Sequence, residues 1–113
     1  MKITIVDVDS VQKVGTHREY CERQFYGDND PSLLGNIFLM RYDSELDEVC
    51  DKYQILFDWW LETNDSFILP MLNRLVEISK TKDIELAVFN SHKRTHAETI
   101  KNYLESCIDN DNI

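Results

Sequence analysis

The run Asn90-Ser91-His92-Lys93-Arg94-Thr95-His96 gathers hydroxyl, imidazole and cationic side chains in one short stretch. It lies between an apolar segment, Ile84 to Phe89, and a segment of helical spacing, so it falls where a strand feeds a helix. Unpaired backbone N–H groups at a helix start attract anions, and Lys93 and Arg94 would add positive charge there. Ser91, Lys93, Arg94 and His96 are therefore candidate anion-binding residues, for a phosphate or a nucleotide. The same residues equally suit a solvated turn in which Thr95 or Ser91 caps the following helix. No glycine-rich phosphate motif is present to decide between the two.

Other reactive groups are scattered. His92 and His96 stand four apart and would share a helix face if the helix began early. They lack the His-Glu-x-x-His pattern and a third ligand. Asp7 and Asp9 alternate at the end of a strand and face one side, an arrangement some phosphohydrolases use to hold Mg²⁺. Acids that close a strand are also commonplace. Cys21, Cys50 and Cys107 are odd in number, far apart and without metal-type spacing, so they read as reduced thiols. The sequence assigns no catalytic set, no metal site and no cofactor.

A second pattern is electrostatic. From Asp43 to Asp65 eight carboxylates stand against one base, Lys52, within a chain whose formal net charge is −9. On a helical wheel at about 100° per residue, Leu46, Cys50, Tyr53, Phe57, Trp60 and Leu61 form one apolar face. Asp47, Glu48, Asp51, Asp58 and Glu62 form a ribbon between about 100° and 200° from Leu46. Ile55 and Trp59 fall at about 180° and 220°, away from the apolar face. Apolar anchors rimmed by like charges suit a protein-docking surface, with Asp47, Glu48, Asp51, Ile55, Asp58, Trp59 and Glu62 as its candidate residues. The alternatives are a helix sandwiched between two neighbours, or a solvated acidic face.

The elements that must position these groups follow from periodicity. Lys2 to Val8 reads as a strand, and His17 to Phe25 as a second, weaker one. Tyr26 to Ser32 is dense in turn formers, and Ile37 to Met40 is a short strand candidate. Ser44-x-x-Asp47 approximates a capping box for a helix that runs to about Glu62. A second helix carries Pro70 in its first turn and Ile68, Met71, Leu72, Leu75 and Val76 on one face. Ile84 to Phe89 is the clearest strand, and the last helix buries Ile100, Tyr103, Leu104 and Cys107. The expected fold is α/β: a small single-domain sandwich over residues 1–108, a short β-sheet packed by about three helices, with 109–113 as an acidic tail.

Composition narrows the function classes. At 113 residues and 42% hydrophobic content, the chain suits one packed domain, and only 3 Gly and 2 Pro interrupt it. No apolar run reaches the roughly 18 residues of a membrane helix, and the N-terminal segment lacks a signal-peptide pattern. Cytoplasmic placement is the expectation, with no membrane partner. A net charge of −9 repels phosphate backbones, which disfavours direct nucleic-acid binding.

Two segments resemble a phage and bacterial domain family of unassigned function. Its members carry a Pro-Ser-x-Leu-Gly-Asn-Pro-Phe segment, an amphipathic helix with tyrosine and tryptophan, then a strand of the type Leu-Ala-Cys-Phe-Cys. A basic turn, Cys-His and a final helix follow. Pro31-Ser32-Leu33-Leu34-Gly35-Asn36-Ile37-Phe38 is similar to the first element; Leu86-Ala87-Val88-Phe89-Asn90 and Lys93-Arg94-Thr95-His96 are similar to the last. The family cysteines fall on Val88, Asn90 and Thr95, and the proline after Gly-Asn is Ile37. Of the reactive residue types only His96 remains, so thiol or metal chemistry at this site is not expected. The resemblance implies an α/β fold and a phage-type origin, hence the cytoplasm of a host cell. Together these features point to a small acidic protein that binds and inhibits a basic host protein, one that itself binds nucleic acid, by presenting carboxylates where phosphates would sit. The alternatives are a nucleotide- or phosphate-processing enzyme using the 90–96 turn, and an assembly protein that forms a homodimer through Ile55 and Trp59.

Overall fold

A computed structural model describes residues 2–21, 34–35, 42–63 and 68–111 of the chain. Its order is β1 (Ile3–Asp7), β2 (His17–Tyr20), a 3-10 turn at Asp43–Glu45, α1 (Leu46–Glu62), α2 (Ile68–Ser79), β3 (Ile84–Val88) and α3 (Ala97–Asp111). The described strands form one parallel sheet in the order β1-β3-β2, with Ile3 and His17 both opposite Ile84. Strand β3 is central and all five of its residues are buried, as expected of a parallel strand covered on both faces. The expected α/β sandwich of a short sheet and three helices is the observed one.

Side-chain alternation divides the sheet into two faces. Ile3, Ile84, Leu86 and Val88 join the core with Tyr53, Phe57 and Trp60 of α1, Ile68, Leu72 and Leu75 of α2, and Ile100 and Leu104 of α3. Helices α2 and α3 lie on the sheet, and α1 packs on both. This leaves one flank of α1 turned away from the core. Arg18, Glu85 and Ala87 occupy the other face of the sheet.

No helix joins β1 to β2; nine residues, 8–16, make the parallel crossover. They pass the sheet face that bears Glu85, whose carboxylate binds Arg18 Nη2 at 2.7 Å and Arg18 Nε at 2.9 Å. The Lys13 N–H donates to the other Glu85 oxygen at 3.4 Å, and Arg18 Nη1 donates to the Ser10 carbonyl at 2.7 Å. Arg18 and Glu85 are 5% and 6% exposed, so a buried ion pair fastens the crossover to the sheet. Gly15 turns the chain back toward β2 with φ +82°, the left-handed region that disfavours a side chain.

Several boundaries differ from expectation. Ser44 does not cap α1: it lies in the 3-10 turn, the Glu45 N–H donates to the Tyr42 carbonyl, and no side-chain cap bond forms. The Asp47 carboxylate that would complete a capping box is held elsewhere, by Arg94. Helix α3 continues to Asp111, into the segment expected to be a tail. Strand β2 ends at Tyr20; residues 22–25 of the expected longer strand, the expected loop Tyr26 to Ser32 and the expected strand Ile37 to Met40 lie outside the described residues. Among the described residues no helix is long and apolar enough to cross a membrane.

Candidate functional site

The 90–96 turn and the acidic helix, read from sequence as separate features, meet in the fold. Arg94 leaves the turn and reaches α1, where Nη1 binds Asp47 Oδ1 at 3.0 Å and Nη2 binds Asp51 Oδ1 at 2.7 Å. The two aspartates are one helical turn apart, so they receive both ends of one guanidinium. Asp51 and then Asp47 raise the already high pKa of Arg94 and hold it charged. Lys93 extends the contact to Asp43 at 3.3 Å. The cations expected to form an anion pocket therefore neutralise the first turns of α1.

The remaining turn residues also have structural partners. His96 is 6% exposed; its Nε2–H donates to the Cys21 carbonyl, and its ring lies edge-on to Tyr53 at 4.9 Å between centroids. Burial lowers its pKa below the ordinary value of 6.5, so the imidazole is held neutral. His96 is thus a core residue, a correction to its candidate role as an anion ligand. The Ser91 N–H donates to Asp7 Oδ1 at 2.8 Å, and this bond, more than the 3.4 Å approach of His92 Nε2 to Oδ2, lowers the Asp7 pKa. His92 is 86% exposed and, with α3 starting only at Ala97, shares no helix face with His96. Among the described residues no three His, Cys, Asp or Glu side chains converge as a metal site.

Thr95 caps α3, as one of the two expected candidates. Its Oγ1 accepts the Ala97 N–H at 3.3 Å, and Glu98 returns to the Thr95 N–H at 3.0 Å. This reciprocal Thr95-x-x-Glu98 arrangement is a capping box, the motif that the sequence pattern predicts at Ser44.

The acidic helix presents the surface that its wheel predicts. Val49, Cys50, Tyr53, Phe57 and Trp60 are buried, whereas Ile55 is 70% and Trp59 58% exposed. Lys52, Ile55, Leu56 and Trp59 line a shallow apolar hollow of about 450 Å³. Of the seven candidate docking residues, Ile55 and Trp59 line this hollow, and the five carboxylates beside it separate into two groups. Asp47 and Asp51 are engaged by Arg94, and Glu48 pairs with Lys52 at 3.2 Å. Asp58 and Glu62 have no cation among the described residues. Asp58 Oδ1 instead accepts Gln54 Nε2 at 3.0 Å, and Gln54 Oε1 accepts the Thr99 hydroxyl of α3 at 2.8 Å. This short chain of bonds orients Asp58 from behind.

Of the family-like segments, Leu34 and Gly35 are the described part of Pro31–Phe38. Leu34 is fully buried, and its carbonyl accepts the Tyr53 hydroxyl at 2.7 Å. Leu86-Ala87-Val88 lies in β3, so this part of the resemblance falls on core positions. Cys21 and Cys50 are buried thiols outside any disulfide, and Cys107 is half-buried. Comparisons with family models, with curated proteins and with solved structures each return no match for this chain.

Proposed function

We propose that this chain is a small acidic protein of phage type that docks on a basic host protein in the host cytoplasm and inhibits it. A target that itself binds nucleic acid fits best, because clustered carboxylates complement a surface built for phosphates. The observation that carries the proposal is the exposed Ile55–Trp59 strip of α1 flanked by Asp58 and Glu62, whose charge no described cation balances. Apolar anchors supply affinity and the flanking charge speeds encounter. On this reading the docking face centres on the C-terminal half of α1, because Asp47 and Asp51 are tied to Arg94. An enzyme acting through the 90–96 turn loses support for the same reason: Arg94 and Lys93 face carboxylates, and His96 is buried.

The test is binding of a purified nucleic-acid-binding protein drawn from the heparin-retained fraction of a bacterial lysate. Binding should weaken with salt and be displaced by nucleic acid. Asp58→Lys with Glu62→Lys should slow association by about tenfold at low salt. Unchanged association in that variant, or no salt dependence, refutes the proposal.

A further inference from the structure

The clamp that α1 places on Arg94 has a second, open copy farther along the same helix. Asp47 and Asp51 are one turn apart, and so are Asp58 and Glu62, each eleven residues on. Eleven residues make just over three turns, so the second pair lies within about 20° of the first, roughly 16 Å down the axis. The first pair shows what this spacing accepts: both Nη atoms of one guanidinium, at 3.0 and 2.7 Å. The second pair is exposed and faces no cation among the described residues. Thr99 and Gln54 hold Asp58 in place behind it.

On this basis, and resting on the docking reading above, we infer that the partner presents an arginine side chain to Asp58 and Glu62 and an adjacent apolar side chain to the hollow of Lys52, Ile55, Leu56 and Trp59. Charge complementarity selects a cation, and the paired carboxylates select arginine over lysine. A planar guanidinium offers separate nitrogens to two acceptors one turn apart, whereas an ammonium is a single point donor. On the helix wheel the hollow lies beside that acidic pair, so the apolar contact must come from a residue near the arginine on the partner.

The probe is a pair of blocked alanine-based helical peptides with two leucines one turn apart. Their sole charge, beside the leucines, is either one arginine or one lysine. Binding to the full chain is followed by tryptophan emission and by anisotropy of a labelled peptide. The expected result is that the arginine peptide binds about tenfold tighter, the worth of one charge-assisted hydrogen bond. That preference should vanish in Asp58→Asn with Glu62→Gln, while Trp59→Ala weakens both peptides alike. Equal binding of the two peptides that still depends on Trp59 overturns the arginine clamp and leaves the docking face standing. An arginine preference that survives in the Asp58/Glu62 variant also overturns it. Binding of neither peptide, with a basic protein also indifferent to Trp59→Ala, overturns the clamp and the docking face together. Self-association by sedimentation that Trp59→Ala abolishes makes the occupant a second copy, and overturns the inference.

Discussion

Replacing Glu85 by alanine should be among the most damaging single changes in this protein, although glutamate is an ordinary surface residue type. In the fold it lies in the central strand, 6% exposed, and it supplies the carboxylate for both Nε and Nη2 of Arg18 and an acceptor for the Lys13 N–H. Glu85→Ala leaves the guanidinium, itself 5% exposed, without its counter-charge, and releases the 8–16 crossover from the sheet. Breaking one side of a buried pair costs about 3–5 kcal/mol, a large part of the roughly 5–15 kcal/mol that holds a domain folded. The fall in Tm should be roughly 10–20 °C for a chain of this length. Removing both charges together, as Arg18→Met with Glu85→Leu, should restore most of that loss, because no charge then remains stranded beneath the crossover. Chemical denaturation of the two single variants and the double variant measures the coupling. Glu85→Ala costing under about 1 kcal/mol, or a double variant no more stable than the sum of the singles, would refute the description of the pair as a buried lock.

Two further outcomes are expected. Trp60→Ala should destabilise the fold by about 3–5 kcal/mol by opening a cavity beside Tyr53, whereas Trp59→Ala should leave the melting curve within about 1 kcal/mol of wild type; equal losses on denaturation would place both rings in the core. His96 has a folded pKa below its ordinary 6.5, so its contribution to stability is complete above pH 6.5 and is lost as pH falls below that value, where the unfolded chain takes up the proton first; stability measured from pH 7.5 to 5 should fall, and His96→Gln should flatten that limb.

Much of the architecture was legible because it rests on local periodicity. The helical spacing from Leu46 to Trp60 separated a core face from an exposed one, and the fold keeps Trp60 in and Trp59 out as the wheel requires. The apolar run at Ile84 likewise announced the central strand. Features made by long-range contacts were not legible. Glu85 lies inside that run, and only the pairing of β2 with β3 brings Arg18, 67 positions away, into contact with it. The reading of 90–96 as an anion site rests on its strand-to-helix position and its own cations, both local features, whereas the fold places Arg94 against aspartates 43 and 47 residues distant.

Composition and spacing by themselves determined the class of fold, the acidic character of α1 and the outward position of Ile55 and Trp59, since these depend on neighbours within a few turns of one element. Tertiary structure alone decided which of the α1 carboxylates are neutralised and that His96 is a core donor rather than a ligand. It also decided that the crossover is fastened by a buried ion pair. A charge has no fixed role until its partner is known, and electrostatic partners are set by distance in space; for the buried Arg18–Glu85 pair at 2.7 Å the low local dielectric makes that contact decisive and sequence separation irrelevant.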